Sequence, residues 1–97
     1  MKPLRIHEGA RLEANQATVW YAERSRPAAR NFQRELLSAF SRAAHSPGRY
    51  RPYLHGTRRV LLKKFPYFVV FLDWQDEVFV VAVAHAKRRP GYWKARV

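Results

Sequence analysis

Two apolar segments in the C-terminal half constrain the fold more than any other feature of this sequence. Both segments are rich in β-branched and aromatic residues: they are Phe68 to Trp74 and Val78 to His85. Only the three residues Gln75-Asp76-Glu77 separate them, which predicts a β-hairpin. Both segments are apolar at successive positions, so each strand needs protein on both faces. We therefore expect these two strands to lie at the centre of a sheet.

The first half of the chain predicts a short strand over residues 2–7 and, after Gly9, two helices. The first helix spans residues 10–24 and the second runs from Pro27 to about His45, with Ser25 as a cap and Pro27 in the first turn. Apolar residues recur at helical spacing in both helices: Ala10, Ala14, Ala17, Trp20 and Tyr21, then Phe32, Leu36, Ala39, Phe40 and Ala43. The short break between the helices predicts an antiparallel helical hairpin.

The remaining segments complete an α+β pattern. Residues 49–56 predict an irregular basic connection, Thr57 to Phe65 a strand that ends at a Pro66-Tyr67 bend, and residues 86–97 a basic tail with a turn at Pro90-Gly91. The order β-α-α-β-β-β predicts one domain over residues 1–97, in which the helical hairpin packs on a mainly antiparallel four-stranded sheet and a short C-terminal tail follows. The three C-terminal strands should be neighbours, whereas the pattern leaves the position of the first strand open.

A large positive charge narrows the classes of partner. The chain has 97 residues, with 19 Lys+Arg against 7 Asp+Glu and a formal net charge of +12. Residues 1–48 carry a net +4 and residues 49–97 a net +8. Such a field attracts nucleic acid, a ribosome, anionic lipid or an acidic protein.

Several classes of site are absent from the sequence. There is no Cys, which excludes a disulfide scaffold, a zinc–thiolate centre and a Cys nucleophile. The His residues lack metal-ligand spacing, and the chain has no Gly-rich phosphate loop and no carboxylate pair at catalytic spacing. We expect no metal and no cofactor. No apolar run approaches the ~20 residues that span a membrane, and no signal peptide is evident, so a cytoplasmic location without a membrane partner is expected.

Basic and aromatic side chains after residue 56 are the candidates for binding. On one continuous strand, Arg59 and Lys63 would share a side, and cations on an open face would form a row suited to phosphates. Tyr92 and Trp93 alternate with cations, a mixture that stacks on bases, or else they anchor the tail on the core. The candidate target- or nucleic-acid-binding residues are Arg58, Arg59, Lys64, Lys87, Arg89, Trp93, Lys94 and Arg96. The alternative for each charged residue is a solvated surface.

A ribonuclease site would use a smaller set of residues. RNA cleavage requires a group that accepts the 2′-OH proton, cations for the phosphorane charge, and an acid for the leaving oxygen. The candidates for those roles are His85, Arg88 or Arg89, and Tyr92, with Lys63 or Lys64 nearby. A His at the end of an apolar strand is also a common structural hydrogen-bonding group, and that alternative stays open.

Two stretches of the sequence resemble the RelE/ParE superfamily of bacterial type II toxin–antitoxin modules. They are T-R-R-V-L-L-K-K-F-P-Y-F-V-V-F at 57–71 and V-A-V-A-H-A-K-R-R-P-G-Y-W at 81–93. Trp20-Tyr21 at the end of the first helix, Phe32 and Leu36 in the second, and the following Pro47 also match. The resemblance implies a compact toxin that is kept inert by an antitoxin, whose C-terminal segment wraps the toxin. A net charge of +12 suits an acidic wrapping segment that folds on binding.

The superfamily contains two activities. RelE-like members cleave mRNA in the ribosomal A site, and Lys63-Lys64 or Arg58-Arg59, Lys87-Arg88 and Tyr92 resemble their basic centre. ParE-like members poison DNA gyrase; Phe68 replaces an Arg of the RelE pattern, and the A-H-x-x-R-R stretch is closer to ParE. We therefore expect a ParE-like toxin that is not an enzyme, with the antitoxin and gyrase as partners. The alternatives are a RelE-like endoribonuclease that acts on ribosome-bound mRNA and a non-toxic basic nucleic-acid-binding module.

Overall fold

A computed structural model describes all 97 residues and contains four strands and two helices. The elements are β1 (Leu4–Ile6), α1 (Glu8–Arg24), α2 (Arg26–His45), β2 (Arg58–Leu61), β3 (Tyr67–Asp73) and β4 (Val78–His85). Short 3₁₀ turns lie at Pro47–Arg49, Leu54–Gly56 and Lys94–Arg96. The predicted β-α-α-β-β-β order and α+β class are confirmed. No helix combines the length and the apolar character that crossing a membrane requires.

The four strands form one sheet in the order β1-β4-β3-β2. β3 and β4 are the antiparallel central pair, as their apolar character predicts, and β2 pairs antiparallel with β3. The position that the sequence left open is settled: β1 lies parallel to β4, with Leu4 opposite Val78. The predicted turn between β3 and β4 is present, but β3 begins and ends one residue earlier than predicted, so the turn spans residues 74–77 and not 75–77.

The helical hairpin turns at Ser25, which ends α1 and begins α2. The Ser25 Oγ accepts a hydrogen bond from the Ala28 backbone N–H at 3.2 Å, and Pro27 stands in the first turn, where its missing N–H costs nothing. The predicted hairpin is confirmed. α1 begins at Glu8, two residues earlier than predicted, because the His7 Nδ1 accepts from the Gly9 N–H at 2.9 Å and caps the helix.

The predicted apolar stripe is confirmed in α2 but not throughout α1. In α2, Phe32, Leu36, Ala39 and Ala43 are buried against the sheet. In α1 the prediction for Trp20 was wrong, since 49% of this residue is exposed. The helix instead buries small residues and one acid: Ala10, Glu13 and Ala17. Small residues let α1 lie close to β4. The acid, Glu13, accepts hydrogen bonds from β4 and from the C-terminal tail.

β2 is shorter than predicted, which separates the cations expected to share a strand. It ends at Leu61, and the Leu62 N–H bonds the Tyr67 carbonyl at 3.0 Å to close the connection to β3. The Glu35 carboxylate of α2 accepts the backbone N–H groups of Lys63 and Lys64 at 2.8 and 3.3 Å. The expectation of a continuous cationic row from Arg59 to Lys63 was therefore wrong, because the backbone leaves the strand to meet Glu35.

The sheet is covered on both faces, but by different parts of the chain. The helices cover one face over a core that includes Phe32, Val69 and Phe71. The C-terminal tail covers part of the other face, where Trp93 packs with Phe68 and Val70. The tail is thus a structural layer of the domain and not a loose basic extension.

Candidate functional site

The centre of the most connected polar cluster is Glu13, an acid of α1 that is only 8% exposed. Its Oε1 accepts from the Val83 N–H at 3.0 Å and from Arg96 Nη1 at 3.0 Å. Its Oε2 accepts from Arg88 Nη1 at 3.1 Å, the Tyr92 hydroxyl at 2.7 Å and Arg96 Nη2 at 3.1 Å. Three side chains of the C-terminal tail therefore converge on one carboxylate.

This arrangement satisfies a charge that would otherwise be costly to bury. An isolated buried carboxylate is strongly unfavourable, whereas one that accepts several hydrogen bonds and meets a bidentate arginine is compensated. Arg96 also donates to the Val81 carbonyl at 3.1 Å, so its guanidinium is fixed against β4. Gly9 gives Arg96 this space, because a Cβ on Gly9 would lie 2.5 Å from the Arg96 Cζ.

Glu13 changes the chemistry of Tyr92. Burial and, next, the hydrogen bond to Glu13 raise the pKa of the Tyr92 phenol well above 10.0. Arg88 lies over the ring of Tyr92, with its Cζ 3.6 Å from the ring centroid. The phenol therefore stays protonated and donates its hydrogen to Glu13.

His85 is half-buried at the end of β4, and its ring makes two structural contacts. The Lys87 N–H donates to the Nδ1 of His85 at 3.0 Å, and the ring packs edge-to-face on Tyr67 with centroids 4.9 Å apart. Because Nδ1 accepts, the neutral ring carries its hydrogen on Nε2. In this tautomer neither ring nitrogen offers a lone pair to a substrate, so His85 is poorly arranged as a general base.

His85 and Arg88 border a cleft of about 420 Å³ between α1 and the adjoining ends of β3 and β4. Aromatic and polar side chains line it, among them Gln16, Trp20, Tyr21 and Tyr67. Burial raises the pKa of Tyr21, and burial, followed by repulsion from the Tyr21 phenolate at high pH, raises the pKa of Tyr67. Near neutral pH both phenols are therefore hydrogen-bonding groups and not bases.

The other predicted residues divide into engaged and free side chains. Arg58 donates to the Tyr50 carbonyl, and Trp93 is 1% exposed beneath Tyr53 and His55. Arg59 lies over the rings of Tyr53 and Phe68. Among the predicted binding and nuclease residues, the exposed cations that make no ion pair are Lys63, Lys64, Lys87, Arg89 and Lys94. The structure therefore brings Arg88, Tyr92 and Arg96 together and leaves Lys63 apart from them.

Phe68, the residue that departs from the RelE pattern, is 9% exposed on the face of the sheet that the tail covers. Its ring packs edge-to-face on Tyr53, with centroids 5.9 Å apart. The position therefore supplies apolar packing, where a cation in the RelE pattern would supply charge.

Sequence reasoning missed Glu13 altogether. The spacing of Glu13 could have indicated its burial, because it lies between Ala10 and Ala17 on the same face of α1. An acid on an otherwise apolar helix face requires a buried cationic partner. The partners, however, lie 75 to 83 residues further along the chain, too far for a local pattern to identify them.

Comparisons with known proteins agree with the fold. The family model described as "ParE toxin of type II toxin-antitoxin system, parDE" matches residues 4–90. A solved chain from the "Chromosomal ParDE TA system from P. aeruginosa" superposes with a TM-score of 0.77 at 13% sequence identity, over 90% of this chain and 98% of that one. No curated protein matches the chain by sequence.

Proposed function

This chain belongs to the ParE toxin family of type II toxin–antitoxin systems, and on that premise we propose that it inhibits growth by poisoning DNA gyrase. We further propose that a cognate antitoxin neutralises it and that it acts in the cytoplasm. The family model covers 87 residues, from 4 to 90, so the proposal applies to the domain and not to an isolated motif.

The observation that supports gyrase over RNA cleavage is the engagement of the candidate nuclease residues. Arg88 and Tyr92 bind the Glu13 carboxylate, and His85 accepts from the Lys87 N–H. An RNA-cleaving centre needs a free base and an acid that can release its proton. These side chains fill structural roles here, and Lys63 lies apart from them.

The test is a titration of the purified chain into a DNA gyrase supercoiling assay. We expect supercoiling to fall as the protein is added, and we expect induction in cells to arrest DNA synthesis before protein synthesis. Normal supercoiling across the whole titration would contradict the proposal. Immediate translation arrest with codon-phased mRNA cuts would favour the ribonuclease alternative, and harmless expression would favour the non-toxic module.

Single variants separate the two toxin mechanisms. His85→Ala and Lys63→Ala remove candidate nuclease groups without touching Glu13. We expect both variants to inhibit growth as the parent chain does at equal expression. Loss of toxicity in both, with the fold retained by circular dichroism, would indicate catalysis.

Neutralisation is tested by co-expression. An antitoxin for a chain of net charge +12 should carry an acidic segment, because opposite charge steers association and selects the partner. We expect a short neighbouring reading frame with such a segment to restore growth when it is expressed together with this chain. Continued growth arrest at confirmed antitoxin expression would count against that partner.

A further inference from the structure

A small pocket at the edge of the sheet presents two arginines without an acid. It has a volume of about 330 Å³ and is lined by Arg51, Pro52, Tyr53, Arg59 and Leu61. β2 is the edge strand here, and an isolated bridge between Pro52 and Arg58 brings the preceding segment alongside it. The pocket lies away from the Glu13 cluster and shares no residue with it.

Arg59 is held in place by aromatic rings. Its Cζ lies 4.2 Å from the ring centroid of Tyr53 and 4.9 Å from that of Phe68. Such stacking fixes the plane of a guanidinium and leaves its N–H edge for a ligand. A fixed guanidinium matches the two oxygens of a carboxylate or phosphate at a small entropic cost.

The charge of Arg59 has no partner within the chain. The ion pairs of the structure use five other cations: Lys2, Arg5, Arg24, Arg88 and Arg96. Arg51 is exposed and also unpaired, and no Asp or Glu lines the pocket. Glu35, on α2, is engaged by the backbone N–H groups of Lys63 and Lys64. The pocket is therefore arranged for an anionic group from outside the chain.

Three features favour a peptide carboxylate over a nucleic acid. Stacked bases need open aromatic faces, but Arg59 already covers Tyr53, and Phe68 is buried. Leu61 is 57% exposed beside the pocket, which suits an aliphatic side chain. The Leu62 N–H bonds the Tyr67 carbonyl across the hairpin. In an antiparallel pair the direction of the backbone hydrogen-bonding groups alternates from residue to residue, so those of Leu61 point towards the open edge. Another polypeptide can pair with them there.

We propose that the Arg51–Arg59 pocket binds a carboxylate of an extended acidic peptide, whose neighbouring apolar residue packs on Leu61. The identification of this peptide as the acidic segment of the antitoxin rests on the proposed function. The binding chemistry does not, because it depends on the arginines, the exposed leucine and the strand edge alone.

The test uses the full chain and a fluorescein-labelled peptide of alternating glutamate and valine, with oligothymidylate as a second probe. Arg59→Ala should weaken peptide binding by about tenfold, as expected for the loss of a charge-assisted bidentate contact. Arg30→Ala removes the same charge from an exposed position on α2 and should change the affinity by less than about twofold.

A second pair of variants guards against misfolding of Arg59→Ala. Leu61→Glu and Leu37→Glu both introduce a carboxylate at exposed positions, 57% and 66% accessible, so neither disturbs the core. Leu61→Glu should weaken peptide binding at least about threefold through repulsion beside the pocket, and Leu37→Glu should have a much smaller effect.

Equal weakening by the matched members of each pair would overturn the proposal, since the peptide would then sense only net charge. Loss of oligothymidylate binding in Arg59→Ala, with peptide binding unchanged, would also overturn it and assign the pocket to nucleic acid. The proposed function is read separately, from growth inhibition by the parent chain when no antitoxin is expressed. A harmless parent chain that still binds the peptide through Arg59 would reject the toxin function and leave the pocket standing.

Discussion

Replacement of Glu13 by alanine is a change from which the structure predicts a large loss of stability. Glu13→Ala removes the acceptor of five hydrogen bonds and leaves the Tyr92 hydroxyl and the Val83 N–H without their partner. It also leaves Arg96, whose side chain is 20% exposed, with the Val81 carbonyl as its remaining acceptor. The variant thus strands a charge and polar groups away from water.

The size of the effect follows from which of these contacts are buried. Breaking a buried ion pair by removal of one partner costs about 3–5 kcal/mol. Most of this cost comes from the Arg96 guanidinium and the Val83 N–H, which both lose their bonds to Glu13. The Arg88 side chain is 53% exposed, so solvent screening makes its contact worth less than about 1 kcal/mol. In a domain of this size each kcal/mol lost lowers the melting temperature by about 4–8 °C, so Glu13→Ala should lower it by at least about 12 °C. This loss is a large fraction of the about 5–15 kcal/mol by which such domains are stable.

Urea unfolding followed by circular dichroism measures the loss directly. Glu13→Gln keeps the shape of the side chain and one carbonyl acceptor, so it should lose about 1–3 kcal/mol of the free energy of unfolding. Glu23→Gln is the matched control, because Glu23 forms an exposed ion pair with Arg24 at 3.9 Å, and it should change stability by less than about 0.5 kcal/mol.

One result would refute the reasoning about Glu13. If Glu13→Ala unfolds within about 0.5 kcal/mol of the parent chain, the carboxylate does not anchor the tail. Hydrogen exchange at the Arg96 N–H, which bonds the Trp93 carbonyl at 2.8 Å within the tail, distinguishes local release from global unfolding, since release of the tail alone speeds exchange there without a change in the unfolding midpoint of the rest.

Three further predictions concern the same tail. The pKa of Tyr92 is raised in the folded chain, so its contribution to stability is complete below about pH 10 and is lost as the pH rises towards the folded value; Tyr92→Phe should flatten the decline in urea stability above that pH, and an unchanged slope would contradict this. Gly9→Ala places a Cβ 2.5 Å from the Arg96 Cζ and should destabilise by about 1 kcal/mol despite the better helix propensity of alanine; a stabilised variant would show that Arg96 moves freely. Trp93→Ala should cost about 3–5 kcal/mol, whereas Trp20→Ala, at a half-exposed position, should cost less than about 1 kcal/mol, and equal losses in thermal melts would contradict the burial of the tail.

The parts of the fold that depend on local patterns were predictable. Ser25 followed by Pro27 marks the helix junction, and the spacing of Phe32 and Leu36 marks the buried face of α2. The hairpin of β3 and β4 follows from two apolar runs with a short polar break. In each case neighbouring residues hold the determining information, so a single sequence suffices.

The parts that depend on distant contacts were not. β2 ends at Leu61 because Glu35, on α2, accepts the N–H groups of Lys63 and Lys64. Their sequence alone has the composition of a longer strand. Likewise, the parallel pairing of β1 with β4 joins residues 74 apart, such as Leu4 and Val78. Such pairings depend on how the elements pack, and no local pattern contains that information.

The candidate site illustrates the same limit with charged residues. From the sequence, Arg88, Tyr92 and Arg96 belong to a basic aromatic tail that is suited to binding outside partners. In the structure they converge on Glu13, which holds them from another element. A charged side chain can pair with a group in the same chain or with a group on another molecule. Which of the two occurs depends on whether the fold brings an opposite charge near it.

That distinction gives the net charge of +12 a spatial meaning. Part of the positive charge of the tail is already balanced by Glu13, whereas Arg51 and Arg59 at the edge of β2 face no carboxylate in their pocket. An acidic partner gains most where no internal acid competes for the cation and where the guanidinium is already fixed. The edge of β2 meets both conditions, and the tail, held by Glu13, meets the second alone. The exposed cations around both regions then act through long-range attraction, which speeds the encounter and weakens with salt, while the arginine pocket determines where the partner binds.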